Sequence, residues 1–377
     1  MSKEGNKRSI LSIILKVLKW IVITIISIIL LLLLVRGIGK AINNKTPDGG
    51  INESMYVDIN NSKQWISIYG KDTNNPVILY LHGGPGGATS YLDYKSLRKW
   101  SDVYTVVSWD QRDVGLSAKN NEGQKDITYT KELFMTDAQE LTKFLLNHLK
   151  KDKIALVGHS WGTLFGANLA LEHPENYLFY VGTGQVIDMR ENEKGLIEAA
   201  KVWSKDDKEG QELVAQIDPY KFTRESVAAR SSVLERYHFD TQSDKTDYNT
   251  LSTIFFNPYY SLSDLYRLYR NMILDEIDLS KYYDFVSSPE FDKFSLLNRT
   301  EYQIPYYNIN GDHDYQANVF QAQKYFDIVQ APRKKMYTMN DMNHGLIMVR
   351  TGEFSDYMHE IAKLEQTNNS TTTAVAN

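Results

Sequence analysis

The 377-residue chain contains no cysteine. That excludes disulfides, thiolate metal sites and a cysteine nucleophile. It also has no basic excess: the formal net charge is −5, so the broad cationic surface that binds nucleic acid is not expected. No internal repeat is visible, which sets solenoids and propellers aside. Apolar and charged fractions of 42% and 24% are ordinary for a globular protein, and the length accommodates one large domain with an insertion, or two domains.

What the chain does have in excess stands at its N-terminus. Trp20 to Val35 reads WIVITIISIILLLLLV, sixteen residues without a charge, and Ile10 to Leu18 is apolar except for Ser12 and Lys16. Sixteen helical residues fall slightly short of a bilayer core of about 30 Å. Lys16 and Lys19 can snorkel toward head groups and lengthen the usable helix. The run exceeds a usual signal-peptide core, and no Ala-x-Ala site follows it. The expectation is therefore a retained single-span anchor within residues 1–40, rather than a cleaved signal. Lys3, Lys7, Arg8, Lys16 and Lys19 precede the span, against Arg36 and Lys40 after it. The positive-inside rule then puts the N-terminus in the cytoplasm and the remaining chain outside the membrane.

Beyond a polar linker over 41–54, period-2 alternation from Met55 to Tyr69 around Asn60-Asn61 predicts a hairpin. The continuous apolar runs Val77–Leu81 (VILYL) and Tyr104–Trp109 (YTVVSW) suit strands buried on both faces. Lys131 to Leu149 has helical periodicity. Short buried strands are expected at Ile154–Val157 and Tyr177–Val181, with a helix from Ser160 to Leu171 between them. Strands resume at Gln303–Ile309 and Arg333–Thr338. The alternation predicts an α/β fold with a mostly parallel sheet covered by helices. Residues 55–188 and 294–365 form its two parts. The charged, helix-favouring stretch 189–293 between them reads as an inserted cap, and 366–377 (QTNNSTTTAVAN) as a disordered tail.

Gly158-His-Ser-Trp-Gly162 lies at the junction of a predicted strand and helix. A serine hydroxyl needs a base, a group to orient that base, and donors for the oxyanion that forms. In a G-x-S-x-G turn the glycines leave room for a sharp strand-to-helix bend, and the amide of the next residue, Trp161, is the first oxyanion donor. His82-Gly-Gly-Pro-Gly-Gly87 directly follows VILYL and supplies a second, from the amide of Gly84 or else Gly83. His82 reads as a residue that holds this loop. In this fold acid and base follow the serine in the order Ser, Asp, His. Asn310-Gly-Asp-His-Asp314 follows one late strand and Met339-Asn-Asp-Met-Asn-His344 the other. His344 is the base. Spacing after Gly311 favours Asp314 as the acid, with Asp312 capping the turn and Asp341 as a fallback.

These motifs, together with Trp109-Asp-Gln-Arg112, resemble the α/β-hydrolase superfamily, and within it the proline iminopeptidase-like group. The resemblance covers roughly residues 55–363. It implies an eight-stranded sheet with a helical cap, and a triad of Ser160, Asp314 and His344 that needs neither cofactor nor metal. Two positions depart from the pattern. Asp113 stands where the family usually has glycine after W-D-Q-R; bonding to Arg112 or an altered loop is the expectation there. His159 stands where the peptidases commonly have glycine and esterases frequently have histidine.

Two substrate classes follow: short peptides losing an N-terminal residue, which the resemblance implies is proline, or small esters. A non-catalytic binding protein is a third reading, against which the intact triad argues. An aminopeptidase must hold a free α-amine, and carboxylates in the cap would do so. Glu191, Glu193 and Glu235 are the candidates. Phe255, Phe256, Tyr259, Tyr260 and Trp203 are candidates for an aromatic wall against a proline ring.

Overall fold

The computed structural model describes residues 3–121, 127–240, 245–274 and 276–375, with side chains described from 11 to 367. Eight strands form one sheet in the order β1-β2-β4-β3-β5-β6-β7-β8. They are β1 (Ile51–Ile59), β2 (Ser62–Gly70), β3 (Val77–Leu81), β4 (Thr105–Asp110), β5 (Ile154–His159), β6 (Tyr177–Thr183), β7 (Tyr306–Gly311) and β8 (Lys334–Met339). The β1–β2 hairpin turns at Asn60 and Asn61, both with positive φ, a region that asparagine tolerates better than most residues. β2 pairs antiparallel with both β1 and β4, and every other pairing is parallel. The sheet is thus mixed at one edge and parallel across the rest.

The strands that read as continuous apolar runs are buried on both faces because their side chains alternate between two cores. In β3, Val77, Leu79 and Leu81 enter one core, while Ile78 and Tyr80 enter the other. In β5, Ile154 and Leu156 face the first and Ala155 and Val157 the second. The helices Lys131–Leu149 and Trp161–Glu172 close the first core, and Leu97, Trp100 and the helix from Thr351 close the second. Each fully buried Val, Leu or Ile contributes about 1.5–3 kcal/mol, so the central strands anchor the loops at their C-terminal ends.

Between β6 and β7 the chain forms the expected cap of short helices. Their starts are set by side-chain caps: Asp188, Asp207, Thr223 and Asn249 each accept a backbone N–H three residues on. Ser261 and Asp264 cap one another's backbone in a capping box. The cap is bonded to the sheet layer. Tyr282 donates to the Arg112 carbonyl (2.7 Å) and Asn257 to the Ser90 carbonyl (3.0 Å).

The N-terminal helix runs Lys3–Asn43. From Leu11 to Asn43 it is long and apolar enough to cross a membrane, with mean hydropathy 2.9 and only 6% of its most apolar window buried. It ends later than expected and β1 begins earlier, so the linker shrinks to 44–50. At the other end, the backbone of 366–375 continues the helix Thr351–Val375 rather than leaving it as a loose tail.

Candidate active site

β5 ends at His159 and the helix Trp161–Glu172 begins immediately, leaving Ser160 alone in the turn with φ 53° and ψ −118°. L residues rarely adopt that conformation. It is held by the Ser160 amide donating to the Thr183 carbonyl (3.0 Å) and by Thr163 Oγ1 donating to the Ser160 carbonyl (2.5 Å). Both flanking glycines are sterically required. A Cβ on Gly158 would lie 2.6 Å from the Gly162 carbonyl oxygen, and one on Gly162 would lie 2.0 Å from that of Leu81.

The loop after β3 meets this turn. A Cβ on Gly83 would sit 3.3 Å from Ser160 Cβ, so the loop's backbone passes directly over the serine. A Cβ on Gly84 would run into the amides of Gly86 and Gly87, at 2.6 and 2.8 Å. His82 pins the loop. Its Nδ1–H donates to the Gly83 carbonyl (2.7 Å), and its Nε2 accepts the Gln111 amide (3.2 Å). Burial pushes its pKa down to about 4, so it stays neutral in these bonds.

β7 and β8 bring the acidic and basic candidates together. His344 Nδ1 donates to Asp314 Oδ2 at 2.8 Å, and Asp314 Oδ1 accepts the Ala317 amide at 2.8 Å. Asp312 does not reach the imidazole: its Oδ1 caps the neighbouring loop by accepting the Met342 amide (3.1 Å). Asp341 is exposed. His344 Nε2 is buried and makes no hydrogen bond among the described residues. It has no bond to Ser160 Oγ in this state, but His344 and Ser160 line one cavity.

Two residues at this pair were not singled out for it by sequence. Gly184, with φ +54°, follows β6; a Cβ there would lie 2.8 Å from His344 Cε1 and 2.9 Å from its Nδ1. His159, read earlier only as a mark of substrate class, packs its ring on His344 with centroids 4.8 Å apart. Burial, then the neighbouring His344, lowers its pKa. His159 therefore remains neutral and adds no charge beside the His344 ring.

Ser160 separates two cavities. One of about 250 Å³ is lined by Gly84, Trp161, Leu164, Met189, Phe222 and Phe291, with Arg230, Ser231 and Gln316 as polar groups beside Ser160. The other, about 460 Å³, is lined by Gly83, Gly84, Tyr91, His159, Tyr248, His344 and Met348. Among the described residues lining either cavity, none is a carboxylate.

Residues 76–350 match the family model described as alpha/beta hydrolase fold. The chain belongs to the α/β-hydrolase family. Within it, this hydrolase is 35% identical over 139 residues to the "Probable aminopeptidase YbaC" of Bacillus subtilis, a match covering 36% of the chain and 42% of that protein. It is 30% identical over 117 residues to the "Probable proline iminopeptidase" of Leptolyngbya boryana, covering 30% and 33%. These matches span less than half of either relative. The proline iminopeptidase of Mycobacterium smegmatis superposes with TM-score 0.50 at 18% identity, over 84% of this chain and 100% of that one. The epoxide hydrolase VrEH1 from Vigna radiata gives 0.51 at 17%, over 83% and 98%. At such identities the structures report the shared fold alone.

The W-D-Q-R segment of this hydrolase braces the site from behind. Gln111 accepts the Trp161 indole N–H (3.1 Å) and donates to the His82 carbonyl (3.3 Å). Arg112 is fully buried and bidentate on Asp137, with both contacts at 2.8 Å. Arg112 thus does not bond Asp113, the first of the two possibilities expected there. Asp113 takes the left-handed conformation (φ 60°) where the family has glycine, and accepts the Tyr129 hydroxyl at 2.7 Å.

The cap candidates fare unevenly. Glu191 pairs with Lys194 at the surface, and Glu235 is exposed. Glu193 is buried and paired with Arg230 at 2.9 Å, and it is Arg230 that lines the cavity. None of the five expected aromatic-wall residues lines either cavity. Trp203 packs on Phe239, Phe256 on the N-terminal helix at Gly39, Tyr259 against Trp65, Tyr260 into the core and Phe255 against Phe256. The aromatic lining comes instead from Trp161, Phe222, Tyr283 and Phe291 in the first cavity and from Tyr91 and Tyr248 in the second.

Proposed function

We propose that this α/β-hydrolase is a serine hydrolase working through an acyl-enzyme on Ser160. His344 Nε2 removes the Ser160 proton as Oγ attacks a substrate carbonyl. The amides of Trp161 and Gly84 hold the oxyanion. His344 then protonates the leaving group, and water attacks the acyl-enzyme by the same route in reverse. Asp314 holds the imidazole in the tautomer that leaves Nε2 free, and stabilises its cation. The observation that carries this reading is His344 bonded through Nδ1 to a buried carboxylate, with Nε2 unbonded on the cavity that Ser160 lines.

The named relatives support a peptide with a free N-terminal residue as substrate, its acyl residue in the apolar cavity. Glu193 is then the amine's counter-charge, provided the ammonium displaces Arg230 from it. The lining favours a second reading. A cavity whose charged group is Arg230 suits a neutral or anionic acyl group of a small ester. Full-length protein in detergent, assayed on prolyl and alanyl arylamides beside short acyl esters, separates the two. Arylamide turnover lost in Glu193→Gln, with ester turnover kept, supports the aminopeptidase. Turnover of esters alone contradicts it.

The helix Leu11–Asn43 serves in this reading as a retained bilayer anchor, with the N-terminus cytoplasmic and the hydrolase on the outer side. Support comes from its length, its hydropathy and the excess of Lys and Arg before the span. Protease added to intact cells tests the orientation: loss of the hydrolase domain agrees, and protection contradicts.

A further inference from the structure

The foot of the N-terminal helix is fastened to the cap at Phe256 and Tyr260. Where the apolar run ends, Arg36 Nη2 donates to the Tyr260 carbonyl at 2.8 Å and Lys40 Nζ to the same oxygen at 2.6 Å. Asn43 donates to the Phe256 carbonyl (3.0 Å). Gly39 lies so close to the Phe256 ring that a Cβ there would be 2.2 Å from it. Tyr260 in turn is locked into the core. Its hydroxyl is 2.8 Å from Ser90 Oγ, which donates to Asp110 at 2.8 Å. The point where the helix leaves its apolar stretch is therefore also a fixed point of the cap.

The residue after Tyr260 is Ser261, the N-cap of the cap helix Leu262–Ile273. Its inward side packs through Leu265 and Leu268 against Trp65, Leu116 and Tyr260. Its outward side carries Leu262, Tyr266, Tyr269 and Ile273, spaced i, i+4, i+7 and i+11, so they form one stripe along the helix. Each is about half exposed or more: 54%, 63%, 49% and 68%. Met272 adds 55%. Solvated cap helices put charge on that side. Here Arg270, which is paired with Glu276, and Arg267 lie along one side of the stripe, an amphipathic arrangement suited to a helix lying at a lipid surface.

We propose that the helix Leu262–Ile273 lies in the head-group layer of the bilayer that the N-terminal helix enters. Its Leu262–Tyr266–Tyr269–Ile273 stripe sits among acyl chains and its arginines at the phosphates. The inference rests on the anchor reading, because that helix's foot is what brings Tyr260, and so the start of the stripe, to the membrane boundary. Two adjacent attachments then hold the cap at a fixed height and tilt, which a single spanning helix cannot do.

The absence of cysteine makes the test direct. Single-cysteine variants Leu30→Cys, Tyr266→Cys, Ile273→Cys and Ile328→Cys of the full-length chain carry an environment-sensitive fluorophore. All four sites are exposed in the structure, and Ile328 follows from the β7–β8 edge of the sheet, opposite β1. Each protein is reconstituted into phosphatidylcholine–phosphatidylglycerol vesicles containing spin-labelled lipid. The proposal expects loss of fluorescence at 30, 266 and 273 and none at 328. Quenching at 30 without quenching at 266 and 273 overturns the proposal and leaves the anchor standing. No quenching at 30 overturns both.

Discussion

His344 Nδ1 and Asp314 Oδ2 stand 2.8 Å apart, with side chains 4% and 0% exposed. A buried carboxylate so placed fixes which imidazole nitrogen keeps its proton. Asp312, two residues away, bonds a backbone amide instead. Asp314→Asn is therefore expected to lower kcat by about 10³–10⁴-fold, while Asp312→Asn leaves it near wild type. Steady-state kinetics on one chromogenic substrate compare the two. Equal losses would contradict the assignment.

Gly184 lies against the same pair. Alanine there brings a methyl within 2.8 Å of His344 Cε1, at a φ of +54°, so the imidazole must shift. Gly184→Ala should lower kcat about 10²-fold, the scale of a 1 Å misplacement. The positive φ adds a stability loss on the order of 1 kcal/mol. An unchanged kcat would mean that His344 adapts freely.

Asp110 carries the pH dependence most open to test. Burial pushes its pKa up to about 7, against hydrogen bonds from the Leu116 amide and Ser90 that pull it down. A raised carboxyl pKa gives stability that is complete below the unfolded value near 3.8 and is lost as pH rises through about 7. Asp110→Asn removes that loss. The stability of the variant relative to wild type should therefore climb between pH 4 and 7, as read from urea midpoints across that range. A difference that stays flat with pH would contradict it.

Arg112 and Asp137 form a buried ion pair behind the site. Arg112→Met alone strands the carboxylate and should cost about 3–5 kcal/mol. The double variant Arg112→Met/Asp137→Leu should cost less than the single one. Unfolding midpoints for the cycle decide, and simple additivity would contradict the coupling.

Much of this was legible because both-face burial and glycine sterics leave strong local marks. VILYL is β3 to the residue, since all five side chains are buried between two cores. The alternation around Asn60-Asn61 marked the hairpin, and both asparagines take positive φ in its turn. Spacing after Gly311 favoured Asp314 over Asp312, and Asp314 is the one bonded to His344. The unread features are those made by the fold alone. Gly184 matters through a side chain it lacks. Glu193 is neutralised by Arg230, 37 residues away on another helix. The cap aromatics were candidates by residue type alone, whereas packing decides which face the cavity. The linker was overdrawn because polar Asn43 and Ile51–Glu53 joined a helix and a strand.

The most direct test of the central claim is the turnover of Ser160→Ala beside wild type, on whichever arylamide or ester wild type cleaves best. A fall of about 10³-fold or more, to a rate set by binding and the oxyanion donors alone, is the predicted result. Turnover within tenfold of wild type would contradict acyl-enzyme chemistry at Ser160.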